Sequence, residues 1–441
     1  MGKNSKHLVP RNVDPSLESI TLTKSRPSVF RWIGKNSLPV TLILIIIPNL
    51  LAFYRTPLAL LPGQPGGMSL LVSCAAAVLC SIALDRLQSF PDVTRFHYVM
   101  PVLPSVYAIA IAFILFFRLN YSIFVLGLSF LVTVLAHLAF FVLQQRTSRP
   151  FQYYVAAGGR ADEILLPGDI SLIRVEKPAI PIEPGAVIVA DLHHDHDPHW
   201  LRVFAQAALL GIPVFHITEI IETITGRVQI DHISENHFGS LLISGTYASI
   251  KRLVDTLIAI VMLVLLAPLL GIVAVIVRFD SPGPAIFRQQ RVGFRGKVFE
   301  VFKFRTMTVQ PVVDERASAM TQQDDVRITR IGRFLRRSRI DELPQLVNVL
   351  RGDMSIIGPR PEALALSRWY LSEIPFYEYR HIVRPGITGW AQVNQGHVTN
   401  LTDVRDKLHY DFFYIKNFSY WIDMLILLQT VRTILTGYGS K

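Results

Sequence analysis

The stretch Leu257-Ile-Ala-Ile-Val-Met-Leu-Val-Leu-Leu-Ala-Pro268-Leu-Leu-Gly-Ile-Val-Ala-Val-Ile-Val277 decides what kind of fold this chain takes. It carries no charge and has the length of a membrane-crossing helix, about 20 apolar residues. Lys251 and Arg252 precede it and Arg278 follows it. Lys and Arg gather on the cytoplasmic side of a bilayer, so a straight span leaves one basic flank outside. Pro268 lies mid-run, lacks a backbone donor and clashes with the preceding turn. A kink there lets both ends face the cytoplasm, which predicts a re-entrant membrane helix over 253–278. A simple fifth span is the alternative.

Working outward, four further apolar runs lie upstream, near residues 38–54, 68–84, 98–117 and 121–143. Each has about the length of a membrane helix. Lys24, Arg26, Arg31 and Lys35 precede the first, Arg86 and Arg95 separate the second from the third, and Arg146 and Arg149 follow the fourth. This pattern predicts a four-helix transmembrane domain, 38–145, with both ends cytoplasmic. Pro48 and Pro104 fall inside runs, which membrane helices tolerate. Residues 1–37 read as a disordered cytoplasmic tail without a cleavable signal. At 51% hydrophobic and 17% charged residues, with mean hydropathy +0.37, the chain is too apolar for an ordinary soluble enzyme. Its net charge of +11 fits contact with anionic lipid. No aromatic-interleaved basic sheet or zinc spacing supports nucleic acid as a partner. Cys74 and Cys80 share one apolar run and read as small buried residues.

Residues 146–244 are mixed. Tyr153-Tyr-Val-Ala-Ala, Ile170-Ser-Leu-Ile, Ala186-Val-Ile-Val-Ala and Val214-Phe-His-Ile are strand-like, with a helix over 199–210. The alternation predicts a small parallel α/β domain, Rossmann-like. Gly158-Gly159-Arg160 follows the first strand, but the full Gly-x-Gly-x-x-Gly fingerprint is absent, so dinucleotide binding is weakly supported. His193, His194, Asp195, His196 and Asp197 form a tight run that cannot turn every side chain to one ion; a solvated loop is the favoured reading over a metal site.

Beyond the re-entrant stretch, Ile328, Ile331, Phe334 and Leu335 recur at helical spacing among Arg327, Arg330, Arg333, Arg336 and Arg337. This predicts an amphipathic helix over 327–339 at a membrane surface. The chain then reads Arg336-Arg-Ser-Arg-Ile-Asp341-Glu342-Leu-Pro-Gln-Leu-Val-Asn-Val-Leu-Arg-Gly-Asp-Met-Ser-Ile-Ile-Gly-Pro-Arg360-Pro361. Adjacent carboxylates raise each other's pKa unless a cation holds them. Arg336, Arg337, Arg339 or Mg²⁺ could serve. Carboxylates, guanidinium groups and a hard cation are the parts phosphoryl chemistry uses. The bland alternative is a solvated first turn of a helix over 343–350, capped at Gly352.

Seven strings in order give this half of the chain a resemblance: Lys251-Arg-Leu-Val-Asp255, Ser281-Pro-Gly-Pro284, Phe302-Lys-Phe-Arg-Thr-Met307, Ile340-Asp-Glu-Leu-Pro-Gln-Leu346, Arg351-Gly-Asp-Met-Ser355, Gly358-Pro-Arg-Pro361 and Arg384-Pro-Gly-Ile-Thr-Gly-Trp-Ala-Gln-Val-Asn394. Residues 245–441 resemble the bacterial sugar transferases, the polyprenyl-phosphate hexose-1-phosphate transferases, in their large membrane form. The resemblance implies a mainly helical catalytic domain with a re-entrant membrane helix, at the cytoplasmic face of the bacterial inner membrane. It implies transfer of a hexose 1-phosphate from a UDP-sugar to polyprenyl phosphate, with UMP released. Asp341 matches the nucleophile and Glu342 its Mg²⁺-associated partner, so both are candidate metal ligands. Lys303, Arg305, Arg336, Arg360 and Arg384 are candidate phosphate binders, since guanidinium groups match phosphate oxygens. A homodimer is an open alternative. After Asn394 the chain reads Gln395-Gly396-His397, where many members have Gly-Arg-Asn, which puts a glucose or galactose substrate in doubt. Direct in-line transfer by a related membrane transferase, a direct glycosyltransferase, a lipid phosphatase and a non-catalytic membrane scaffold or sensor are the rival readings.

Overall fold

The computed structural model describes residues 37–52, 61, 63–87, 95–147, 152–163, 172–181, 186–228, 245–308, 327–395 and 400–436. The expected N-terminal tail and the His397 loop lie outside them. By contact the chain divides into two compact units, residues 1–77 with 119–148 and residues 78–118 with 149–441.

A helix forms at each of the four upstream runs: α1 (Ser37–Ala52), α2 (Pro65–Leu87), α3 (Arg95–Phe116) and α4 (Ile123–Thr147). Among the described residues, α2, α4 and the later helix Gly245–Asp280 are long and apolar enough to cross a membrane. In α1 and α3 the apolar stretches are shorter, Leu38–Ile47 and Val102–Phe116. Within the first unit α1 packs along α4. Buried Asn49 donates from Nδ2 to the Ile45 carbonyl at 2.8 Å and to Ser129 Oγ at 3.1 Å. Such bonds join helices in lipid, where apolar side chains gain little by leaving the solvent.

In the second unit four strands form a parallel sheet in the order β2-β1-β3-β4. They are β1 (Gln152–Ala156), β2 (Leu172–Val175), β3 (Ala186–Ala190) and β4 (Val214–His216). Helix α5 (Pro198–Leu209) covers one face, packing Trp200, Val203 and Phe204 on Ala156 and Ile188. Helix α6 (Ile217–Thr225) covers the other, packing Ile217 and Ile220 on Val155 and Val187. Every residue of β3 is buried because both faces are covered. This layer docks on the remainder of the unit. Lys416 Nζ lies 2.6 Å from Glu222 Oε2, and Trp390 Nε1 donates to the Gly226 carbonyl at 2.9 Å.

Helix α7 (Gly245–Asp280) is continuous through Pro268, so the expected interruption there is not seen. Asp255, Ala259, Val273 and Val277 are buried at helical spacing. Ala259 packs on Val301, Leu346 and Val349, and Val273 and Val277 pack on Phe304 and Leu335. The two flanks of the run therefore pack into separate clusters of buried residues. Between them Val264 and Leu265 are 70% and 69% exposed, which suits lipid rather than water. A hairpin follows, β5 (Ile286–Val292) with β6 (Val298–Phe304), Ile286 opposite Phe304 and Val292 opposite Val298. Then come α8 (Arg330–Arg337), α9 (Leu346–Arg351), β7 (Ser355–Ile357), α10 (Leu364–Glu373), β8 (Gly386–Thr388), α11 (Trp390–Asn394), α12 (Leu401–Lys416) and α13 (Tyr420–Thr436). Helix α8 is shorter than the expected 327–339. Thr329 caps it through Gly332 N at 2.9 Å, and Ile328 pairs with Met307 in a β-bridge instead.

Candidate active site

The carboxylate pair does not begin an α-helix. Asp341 and Glu342 lie in a 3₁₀ turn, Ile340–Gln345, entered through Arg339 in the left-handed region at φ 59°. The turn packs against β6 and both carboxylates are buried, so a solvated first turn is ruled out. Glu342 Oε1 is 2.7 Å from Arg360, 3.4 Å from Lys303 Nζ and 3.6 Å from Arg339. Asp341 Oδ1 is buried without a hydrogen-bond partner.

This asymmetry separates the two acids. Burial and the neighbouring Glu342 charge push Asp341 up to about 6, against the pull of Lys303, Arg360 and Arg336. Burial also opposes ionisation of Glu342, but Arg360 and Lys303 outweigh it and hold Glu342 well below the usual carboxylate range. Glu342 raises the Arg360 guanidinium above its usual range, while burial brings Lys303 down to about 8. At neutral pH both carboxylates are ionised, Glu342 tied up by cations and Asp341 with an uncommitted oxygen.

Arg360 is aimed by a glycine seam. Ser355 of β7 pairs with Gly386 of β8, and Ile357 with Thr388. A Cβ on Gly386 would lie 2.1 Å from Gly358 N, and one on Gly389 would lie 2.2 Å from Gly358 O. Backbone meets backbone where the Gly-Pro-Arg-Pro and Arg-Pro-Gly-Ile-Thr-Gly strings cross. Behind them Arg380 donates to the Arg360 carbonyl at 2.8 Å and pairs with Asp411 at 2.8 Å. Arg291 donates to the Pro361 carbonyl and Lys407 pairs with Glu362. Sequence reading passed over this buried clamp because its members are scattered from 291 to 411.

The other expected phosphate binders go to different places. Arg305 is buried, with Nε on Ser281 Oγ at 3.2 Å and its terminal nitrogens on the carbonyls of Pro284, Ser281 and Val277. It ties β6 to the C-terminal end of α7, away from the carboxylates. Arg336 donates to Thr306 Oγ1 at 3.1 Å and acts on Asp341 through its charge. Arg384 donates to the Gly352 carbonyl at 3.1 Å and lies over the Phe294 ring, outside the carboxylate group.

A hard cation takes oxygen donors, and Mg²⁺ takes one or two protein carboxylates plus substrate phosphate oxygens. Asp341 Oδ1 is such a donor, while Glu342 Oε1 is already engaged by three cations. The pair fits Mg²⁺ through Asp341 first.

In the α/β layer the glycine turn is filled from within. Asp191 Oδ2 accepts from Arg160 N at 3.0 Å and would lie 2.5 Å from a Cβ on Gly159. The His run is partly packed: His196 is buried, while His193, His194, Asp195 and Asp197 are exposed. Asp191, His193 and His216 lie close enough to share an ion. However, His216 Nδ1 accepts from Thr218 N at 3.0 Å. A neutral His216 then carries its proton on Nε2, 2.6 Å from His193 Nδ1, so this is a hydrogen bond between imidazoles.

The sequence profile described as "Bacterial sugar transferase" matches residues 246–437. The chain is 42% identical over 367 residues to the Aeromonas hydrophila UDP-N-acetylgalactosamine-undecaprenyl-phosphate N-acetylgalactosaminephosphotransferase, covering 83% of this chain and 86% of that one. This chain belongs to the bacterial sugar transferase family. Other relatives of the transferase align over a shorter stretch. The Escherichia coli K12 UDP-glucose:undecaprenyl-phosphate glucose-1-phosphate transferase is 44% identical over 191 residues, 43% of this chain and 41% of its own. The Caulobacter vibrioides protein of the same name is 45% identical over 188 residues, 42% and 70%. The matched span holds α7, the carboxylate pair, the glycine seam and the clamp. All belong to the sugar transferase part of the chain.

Proposed function

We propose that this transferase moves an N-acetylhexosamine 1-phosphate from its UDP-sugar to undecaprenyl phosphate, at the cytoplasmic face of the bacterial inner membrane. The observation that carries the chemistry is the asymmetry of the buried pair, with Glu342 neutralised by Arg360, Lys303 and Arg339 and Asp341 left with an unpartnered oxygen. In this reading Asp341 attacks the β-phosphorus, the bond to the bridging oxygen breaks, and UMP leaves with the electron pair. An oxygen of the lipid phosphate then attacks the same phosphorus and releases Asp341. Lys303, Arg336 and Arg360 balance the diphosphate charge, while Arg305 and Arg384 take no part in it. Mg²⁺ held by Asp341 and Glu342 would neutralise phosphate oxygens during departure of UMP. The relative matched along most of both chains is named for N-acetylgalactosamine, which supports an N-acetylated sugar.

The membrane arrangement belongs to the same reading. Helices α1–α4 anchor the chain over 38–145, and residues 146–244 form a Rossmann-like support. Helix α7 enters and leaves one leaflet within 253–278. Basic residues at both ends of the run, Lys251, Arg252 and Arg278, with Pro268 between them, support this. The test is UMP release across a panel of UDP-sugars with undecaprenyl phosphate, followed by acid quench with β-phosphate label and no lipid. Label is expected on the peptide containing Asp341 in the wild type and none in Asp341→Asn. Normal turnover without label overturns the covalent step, and release of UDP overturns the reaction class.

A further inference from the structure

Helix α6 ends at Gly226, whose φ of 65° is left-handed, and the chain leaves it as the short strap Gly226-Arg227-Val228. The strap lies outside the matched span 246–437, and the residues that receive it lie inside. The Gly226 carbonyl accepts from Trp390 Nε1 at 2.9 Å, and Val228 N donates to the His409 carbonyl at 3.0 Å. The Arg227 guanidinium carbon lies 4.7 Å from the centre of the Tyr410 ring, and Asp406 is 3.5 Å from Arg227. A partly exposed ion pair of this kind contributes little. The bond to Trp390 is buried and matters more. An indole only donates, and once buried it needs an acceptor. Trp390 is 2% exposed and stacks on Phe413 at 5.6 Å. Among the described residues its acceptor comes from the strap.

Two routes lead from this seat to Arg360. Trp390 directly follows Gly389, where a Cβ would lie 2.2 Å from Gly358 O, and Gly358 N donates to the Thr388 carbonyl at 2.8 Å. A shift of the indole is therefore passed by backbone contact to the residues just before Arg360. Helix α12 carries the second route. Its Asp406, Tyr410 and Phe413 meet the strap and Trp390. Its Lys407 and Asp411, four apart on another face, hold Glu362 and Arg380 behind the Arg360 turn.

We propose that Trp390 is a positioning residue through which the docked α/β layer fixes Arg360 against Glu342. The layer thereby sets turnover without supplying a reacting group. This rests on Arg360 serving the phosphoryl transfer, and it gives the layer more than a supporting role. For the test, kcat and KM of the full chain in nanodiscs are measured from UMP release, with undecaprenyl phosphate and the UDP-sugar of highest turnover. Trp390→Phe keeps a ring on Phe413 and removes the donor. It should lower kcat about three- to tenfold, with KM for the UDP-sugar changed less than about twofold. Gly226→Ala, which disfavours the left-handed turn, should do the same from outside the matched span, and it carries the test if Trp390→Phe does not fold. In an Arg360→Lys background either substitution should lower kcat less than about twofold further, because residues acting through one side chain are not additive. Val203→Ala, in the layer's core on the face opposite α6, should lower the melting temperature and leave kcat in place. Equal fold-losses in both backgrounds, or an unchanged kcat in both variants, overturn the proposal and leave the indole bond as packing. Wild-type kcat in Arg360→Lys alone overturns the reading of Arg360, and this proposal with it.

Discussion

Asp341 and Glu342 are neighbours with opposite electrostatic fates, because three cations reach one of them and none bonds the buried oxygen of the other. The sign of the pH response follows. The nucleophile is the carboxylate, and Asp341 is pushed up to about 6, so activity is lost as pH falls through that value. Lys303 is brought down to about 8 and loses its charge as pH rises through it. A bell-shaped kcat/KM profile with limbs near these two values is expected; a flat profile across that interval contradicts the assignment. A contrast of two arginines tests the geometry. Arg305→Ala strips buried carbonyls of their donor and should cost about 1–3 kcal/mol, read as a lower melting temperature. Arg360→Lys keeps the charge but loses the planar fork, and should lower turnover more than stability. The reverse ranking would assign Arg305 to the phosphate.

At the scale of elements, the strands β7 and β8 are only three residues long each, yet they align two motifs separated in sequence. Gly386 permits this, since its missing side chain is where Gly358 N sits. Gly386→Ala should therefore displace the Arg360 turn and destabilise by about 1–3 kcal/mol or more, with turnover falling alongside the melting temperature. An alanine variant of wild-type stability and activity would mean the seam opens easily. The buried Arg380–Asp411 pair behind it holds the Arg360 carbonyl. Such pairs cost stability when one partner is removed and specify geometry when both are present.

At the scale of the whole molecule, α7 is the element that ties chemistry to membrane. Single cysteines at the exposed positions Ser249, near Lys251, and Arg295, in a chain without Cys74 and Cys80, should both be labelled only from the cytoplasmic side. Labelling of the second from outside would make α7 a simple span. The α/β layer has its glycine turn occupied by Asp191 and is joined to the rest through Glu222, Gly226 and their partners. A chain starting at Gly245 should keep UMP release but melt at lower temperature. Loss of release in a folded truncation would give that layer a part in the reaction.

Sequence alone determined the apolar helices, the strands of the parallel α/β layer and the adjacency of the two carboxylates. Those properties are local: hydropathy, periodicity and adjacent charges are written in consecutive residues. The 199–210 helix and all four strands formed within a few residues of their expected places. Only the tertiary structure decided that the carboxylates are buried, that Arg360 and Lys303 hold Glu342, and that Arg305 is a strut. It also brought Arg291, Arg380, Lys407 and Asp411 behind the Gly-Pro-Arg-Pro turn, and gathered Arg295 and Arg384 at Phe294. An arginine carries the same charge wherever it stands in the sequence. Whether it meets a carbonyl, a carboxylate or an open cavity depends on which distant backbone the fold brings against it, and burial then sets how much that meeting shifts the charge.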